Sequence, residues 1–193
     1  MSKDWLVIGI AGATCSGKTT LAERLSKTLK NSKLLKQDEY FLPSNDPRHT
    51  RVPELNHLNW ELLTSLDIPR MLRETREILS GKIINQDGIK EERGILILEG
   101  FLIFNSEEIA ALCDLRFFLD LNEAECCKRR KKRTYDPPDV PNYFEKIVWP
   151  EYIKSRGEIL ENEQLRRSIV FIDGTINAEE IFCQILKEVE ARL

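Results

Sequence analysis

The chain has 193 residues, of which 41% are hydrophobic and 32% charged, with a net charge of −3. That is the length of about one domain and the composition of a soluble globular protein: no apolar run could cross a bilayer, and the acidic balance argues against general nucleic-acid affinity. Five cysteines, odd in number and without C-x-x-C spacing, read as reduced thiols, and the opening Met-Ser-Lys-Asp-Trp lacks an export pattern, so a cytoplasmic protein is expected; with no long apolar edge or heptad pattern, a monomer is expected.

The first predicted strand, Leu6–Ile10, runs into Gly12-Ala13-Thr14-Cys15-Ser16-Gly17-Lys18-Thr19-Thr20, a G-x-x-x-x-G-K-T phosphate cradle. Its glycines let successive N–H groups converge on phosphate oxygens, Lys18 would reach the β- and γ-phosphates, and Thr19 would offer a hydroxyl to Mg²⁺. Leu21, Ala22, Leu25 and Leu29 recur at helical spacing over 18–30, which places a helix N-terminus beneath the anion.

A second strand, Lys33–Gln37, delivers Asp38 and Glu39. Asp38 is placed to accept a proton from an attacking hydroxyl and to help hold Mg²⁺, although a loop or capping aspartate is as common on composition alone. The segment Leu58–Leu79 reads as helical, broken or kinked at Pro69, and 82–90 reads as a hairpin around Asp87-Gly88. A third strand, Gly94–Leu98, ends at Glu99, a Walker-B-like acid that could orient metal-bound water or a substrate hydroxyl.

After the strand Leu115–Leu121, Asn122-Glu-Ala-Glu125 opens a helix like a capping box and leads into Lys128-Arg-Arg-Lys-Lys-Arg133. On a helix Arg129 and Arg133 share a face while Arg130 points elsewhere, so the run reads as an arginine-bearing lid over about 122–141 rather than a nuclear signal, with Lys128, Lys131 and Lys132 a solvated face. Pro137, Pro138 and Pro141 impose an extended loop, and the last strand, Ser168–Ile172, ends at Asp173-Gly174-Thr175. Alternating strands and helices, with continuous apolar strands, predict one α/β domain over 1–193: a five-stranded parallel sheet with helices on both faces, a helical lid, and ligands at the strands' C-terminal ends.

The sequence resembles the uridine-kinase-like P-loop kinases and, within them, the nicotinamide riboside kinases. The resemblance rests on Ile8-Gly-Ile-Ala-Gly-Ala-Thr-Cys-Ser-Gly-Lys-Thr-Thr20, Gln37-Asp-Glu-Tyr-Phe41, Ile97-Leu-Glu-Gly-Phe-Leu-Ile-Phe104, Arg133-Thr-Tyr-Asp-Pro-Pro-Asp139, Tyr143-Phe144, Val148-Trp-Pro150 and Asp173-Gly-Thr175. It implies ATP as phosphate donor, Mg²⁺ on Thr19 and Asp38, and transfer to the 5′-hydroxyl of nicotinamide riboside. Asp38 would be the base; Arg129, Arg133, Thr134, Tyr135 and Asp173-Gly174-Thr175 would serve ATP.

The resemblance also gives the acceptor Asp38-Glu39-Tyr40-Phe41, Trp60, Glu61, Arg130, Tyr135 and Asp136. Trp60 and Tyr135 would flank the pyridinium, a cation that gains from aromatic faces, and Glu61 would grip the ribose. Trp60 stands where a tyrosine is usual and Glu61 where an aspartate is usual. Uridine or cytidine is the alternative acceptor, and a nucleotide-dependent binding module without an acceptor the alternative class.

Overall fold

In the computed structural model, residues 4–81 and 93–193 are described; the hairpin expected over 82–90 lies outside them. Strand β1 (Trp5–Gly12) is buried along its whole length and leads through the glycine loop into helix α1 (Lys18–Thr28). Strand β2 (Ser32–Lys36) follows, and a short 3₁₀ turn over Gln37–Tyr40 takes the chain off the sheet.

The next stretch departs from the sequence reading. Residues 50–67 are not helical: β3 (Thr50–Val52) and β4 (His57–Asn59) pair antiparallel, and a 3₁₀ turn occupies Leu63–Ser65. Helix α2 begins only at Ile68 and runs to Ser80. Pro69 starts this helix instead of breaking it, because a first-turn residue has no intrahelical N–H bond to lose, and the Asp67 carboxylate caps the end by accepting from Arg70 N at 3.0 Å.

Strand β5 (Gly94–Glu99), helix α3 (Glu107–Leu112), strand β6 (Leu115–Asp120) and helix α4 (Glu123–Arg130) follow. The Asn122 side chain caps α4 from Glu125 N at 2.9 Å, as the sequence pattern anticipates. The helix stops at Arg130, so Arg133 lies in the following loop and the shared helical face expected for Arg129 and Arg133 does not form.

Beyond the proline-containing loop, Phe144–Val148 form a wide π turn. Pro150 lacks the N–H that would bond the Lys146 carbonyl in an α-helix, which accounts for the widening. Helices α5 (Trp149–Glu161) and α6 (Glu163–Ser168), strand β7 (Ile169–Asp173) and helix α7 (Ala178–Glu190) complete the chain.

The five long strands form one parallel sheet in the order β2-β5-β1-β6-β7, as the apolar strands predict. Alternate residues of each strand serve opposite faces. Leu6, Ile8 and Ile10 pack with Leu21, Leu25, Ile181 and Ile185 from α1 and α7. Trp5, Val7 and Ala11 pack with Met71, Ile109 and Ile159 from α2, α3 and α5. After β1 the chain crosses β5 to lay down β2 and later returns to lay down β6 on the other side, so the topological switch lies at the C-terminal end of β1, where such sheets bind ligands. A third apolar cluster, including Ala13, Cys126, Tyr143 and Ile147 with Trp60 against it, ties the lid to the β3–β4 hairpin above that edge.

Candidate active site

The glycine loop is shaped by backbone rather than side chains. Gly12 has φ +136°, and a Cβ there would lie 2.1 Å from the Leu119 carbonyl oxygen; Gly17 has φ +94°. Cys15 between them also has positive φ, at 60°, an uncommon conformation for a residue with a side chain and one concentrated at functional sites. The Lys18 ammonium is buried and donates to the Ala13 carbonyl at 2.8 Å, while the buried Ser16 hydroxyl has no protein partner. A loop of turned-in amides with a spare hydroxyl, a lysine and a helix N-terminus suits a phosphate chain.

A cavity of about 540 Å³ opens beside this loop. Its lower wall carries Lys18, Thr19, Asp38 and Glu99. Glu99 is 2% exposed at the end of β5; burial pushes its carboxyl above the ordinary range and the Lys18 charge opposes that rise. Asp38 comes from the 3₁₀ turn after β2, the neighbouring strand, so the two acids enter the cavity from adjacent strand ends. Among the described residues no group of three His, Cys, Asp or Glu is arranged to hold a metal. Thr19 with Asp38 is instead the sparse oxygen set that suits Mg²⁺, which takes most of its ligands from phosphates and water.

The opposite wall is made by the turn after β4 and by the lid. Trp60 lines the cavity with Phe41 and Phe101; the Trp60 and Phe41 rings meet edge to face at 5.7 Å, and Phe41 stacks on Phe101 at 6.0 Å. The turn is fixed by polar bonds. Trp60 N–H donates to the Tyr143 hydroxyl at 2.9 Å, Glu61 N–H to the Asn59 side chain at 3.0 Å, and Asn59 in turn to Glu151 at 2.8 Å.

Arg130 is the hub of the lid side. It is 7% exposed, grips Asp139 through two bonds of 2.7 and 2.9 Å, donates to Thr14 at 3.2 Å and lies 3.5 Å from Glu61. Its guanidinium also sits 4.2 Å from the centre of the Tyr135 ring, with that of Arg133 at 5.3 Å. Burial pushes Glu61 up to about 7, with the Arg130 charge acting against it.

Most of the residues expected to meet the acceptor do line this cavity: Asp38, Phe41, Trp60, Glu61, Arg130, Tyr135 and Asp136, together with Arg133 and Thr134. Two do not. Glu39 is exposed on the 3₁₀ turn away from the cavity. Tyr40 is buried in the core beneath it, where its hydroxyl donates to Glu74 at 2.5 Å. A 3₁₀ turn brings residues three apart onto one face, so Asp38 and Phe41 reach the cavity together while Tyr40 anchors the turn.

Arg129 separates from Arg133 and faces a second, smaller cavity of about 290 Å³ with Ser16, Gly17, Thr20 and Gly174. It donates to the Gly174 carbonyl at 3.1 Å and is steadied by Glu125 at 2.7 Å. Of the last triplet only Gly174 lines that space, because the Asp173 carboxylate is turned onto the Thr175 amide and hydroxyl at 2.8 and 2.7 Å.

Phe101, Asp139 and Tyr143 were not singled out as site residues from the sequence. Asp139 closes the proline loop nine residues after Arg130, a spacing that carries no local signal; only the folded loop brings the pair together.

A parallel sheet switching at β1, a G-x-x-x-x-G-K-T loop at that point and two acids on the adjoining strands define a P-loop kinase. The profile of a family described as AAA domain matches residues 8–150. The chain is 35% identical to nicotinamide riboside kinase 1 of Rattus norvegicus, covering 97% of this chain and 95% of the relative. It is 36% identical to nicotinamide riboside kinase 2 of Mus musculus, covering 97% of each. The chain belongs to the nicotinamide riboside kinase family. Among solved structures it is similar to a possible uridine kinase from Bacillus stearothermophilus, with a TM-score of 0.56 at 19% identity over 90% of this chain and 91% of that one, a likeness of fold.

Proposed function

We propose that this enzyme transfers the γ-phosphoryl group of ATP to the 5′-hydroxyl of nicotinamide riboside, giving ADP and nicotinamide mononucleotide. The carrying observation is that one cavity holds a phosphate loop, the Asp38 and Glu99 carboxylates, and an aromatic and acidic wall at Trp60 and Glu61. The names of its relatives point the same way.

ATP would lie with its β- and γ-phosphates on the 12–19 loop and Lys18, and its base toward Arg129 and Gly174. Thr19 and Asp38 would hold Mg²⁺, which when bound neutralises charge on the phosphates. Asp38 takes the proton of the 5′-hydroxyl as its oxygen bonds to the γ-phosphorus and the bond to ADP breaks. Glu99, at the neighbouring strand end, orients the hydroxyl and would support the metal site when Mg²⁺ is bound. Arg133 on the lid loop faces the transferred group and offsets its charge.

Glu61, kept near the Arg130 fork, holds the ribose hydroxyls. The pyridinium then rests against Trp60, where a flat cation gains about 0.5–2 kcal/mol over a neutral base of the same shape. Lid side chains that fold down over both substrates exclude water that would otherwise hydrolyse ATP.

A nucleoside panel read by ADP release tests the assignment. Nicotinamide riboside is expected to have the highest kcat/KM, and a higher value for uridine would overturn the acceptor. In the same assay Asp38→Ala lowers kcat by about 10²–10⁴ while ATP binding persists; near-normal turnover would remove Asp38 from the chemistry.

A further inference from the structure

Tyr143 stands between the lid loop and the acceptor turn. It is 1% exposed and packs with Ala13, Cys126 and Ile147 in the cluster beneath the lid. The His57 ring of β4 meets it edge to face at 5.0 Å, and the Arg130 guanidinium lies 6.0 Å from its ring centre. The phenol is therefore held in one place, and it lines the main cavity together with Trp60 and Glu61.

Its hydroxyl is only half used. A backbone N–H can only donate, so the 2.9 Å bond from Trp60 N makes the Tyr143 oxygen the acceptor. That leaves the phenolic hydrogen, which has no acceptor among the described residues. Burial pushes the phenol up, with the negative charge of Glu61 adding to the rise, so the hydrogen stays on its oxygen at neutral pH. A buried donor without a partner, anchored at the root of the turn that carries Glu61, calls for an oxygen that enters the cavity.

Glu61 is the complementary group, because an ionised carboxylate only accepts. A hydroxyl can give its hydrogen to Glu61 and take one from Tyr143. Arg130, the other donor nearby, already spends three of its bonds on Asp139 and Thr14.

We propose that Tyr143 is a specificity-determining residue that touches the acceptor: its hydroxyl donates to the ribose hydroxyl that Glu61 holds, and the pair selects ribonucleosides over deoxyribonucleosides. This rests on reading the cavity as a nucleoside site, as given above, and not on which base the nucleoside carries. A deoxy sugar leaves both buried groups unpaired, and a missing partner there costs more than the bond itself contributes.

The test measures kcat/KM at about pH 8, above the value of about 7 to which burial pushes Glu61, for nicotinamide riboside and its 2′-deoxy and 3′-deoxy analogues, with the uridine series alongside. Tyr143→Phe removes two things. It takes away the acceptor of the Trp60 N–H, which loosens the turn for every nucleoside, and the donated hydrogen, which only a hydroxylated sugar feels. The preference for the riboside over at least one deoxy analogue is therefore expected to fall about ten-fold in this variant, mainly through KM. Glu151→Ala, which removes the 2.8 Å anchor of Asn59 without touching Tyr143, is the control for loosening alone and should lower all three values together.

An unchanged preference in Tyr143→Phe, or the same fall in Glu151→Ala, overturns the inference. A crystal structure of the wild-type chain with the riboside bound tests it without any variant: the Tyr143 oxygen is expected about 2.8 Å from a ribose oxygen, and a separation beyond about 3.5 Å overturns it. A uridine series that outruns the nicotinamide series overturns the base assignment alone, and the Tyr143 comparison is then read on uridine. Turnover of no nucleoside overturns the nucleoside reading and this inference with it.

Discussion

The two halves of the cavity are held by different means. On the donor side the phosphate loop springs from a fully buried central strand, and its shape is set by positive φ at Gly12, Cys15 and Gly17. On the acceptor side Trp60 and Glu61 sit on a turn after a strand of only three residues, kept in place by side-chain bonds from Tyr143, Asn59 and Ser65 and faced by a lid loop pinned through Arg130 and Asp139. Backbone constraint makes the donor half intolerant of change. A network of side chains makes the acceptor half adjustable, which is where a nucleoside kinase needs to vary.

The largest effect should come from the donor side. Gly12→Ala puts a Cβ 2.1 Å from a carbonyl oxygen of β6 at a φ that side chains avoid, so we expect about 3–5 kcal/mol of lost stability and a clear fall in Tm. A variant with wild-type Tm would mean the loop is as pliable as the acceptor turn.

Arg130→Lys is the corresponding break on the acceptor side. A lysine cannot reproduce the fork on Asp139 or reach Thr14 at the same time. The KM for the nucleoside should rise about ten-fold, or roughly 1.4 kcal/mol, with that for ATP changed less than two-fold. Equal losses for both substrates would merge the two halves into one functional unit.

The acceptor side should also carry a pH dependence. Glu61 is pushed up to about 7 by burial, so the folded state holds its proton more tightly than the unfolded chain. Its contribution is fully present below the ordinary carboxyl value and is lost as pH rises toward 7, a change of order 1–3 kcal/mol. Acceptor binding runs the other way, since ribose hydroxyls donate to an ionised carboxylate, and should strengthen as pH rises through about 7. Glu61→Gln should flatten the pH dependence of Tm from Glu61; an unchanged profile would assign it elsewhere.

Where an element is made by local pattern, the sequence was enough to place it. The five strands, α1, the Asn122 cap and the glycine loop all follow from apolar runs, helical spacing and glycine positions a few residues apart. The helix predicted from Leu58 forms only from Ile68, because Leu62 and Leu66 mimic a helical stripe while the turn there is stabilised by partners from distant parts of the chain, Tyr143 and Glu151. Tyr40 was read as a site residue because it lies in the same short motif as Asp38 and Phe41, and nothing local says which residues of a turn face inward.

The sequence by itself determined a glycine loop at 12–19 of the kind that cradles a phosphate chain and acids at the ends of two strands, since strand ends and the need for positive φ are written into residue type and spacing. Only the tertiary structure decided what lines the wall proposed for the acceptor. Arg130 meets Asp139 and Glu61, and Tyr143 reaches Trp60, through loops whose ends are brought together by packing, and no local preference of the chain encodes those distances.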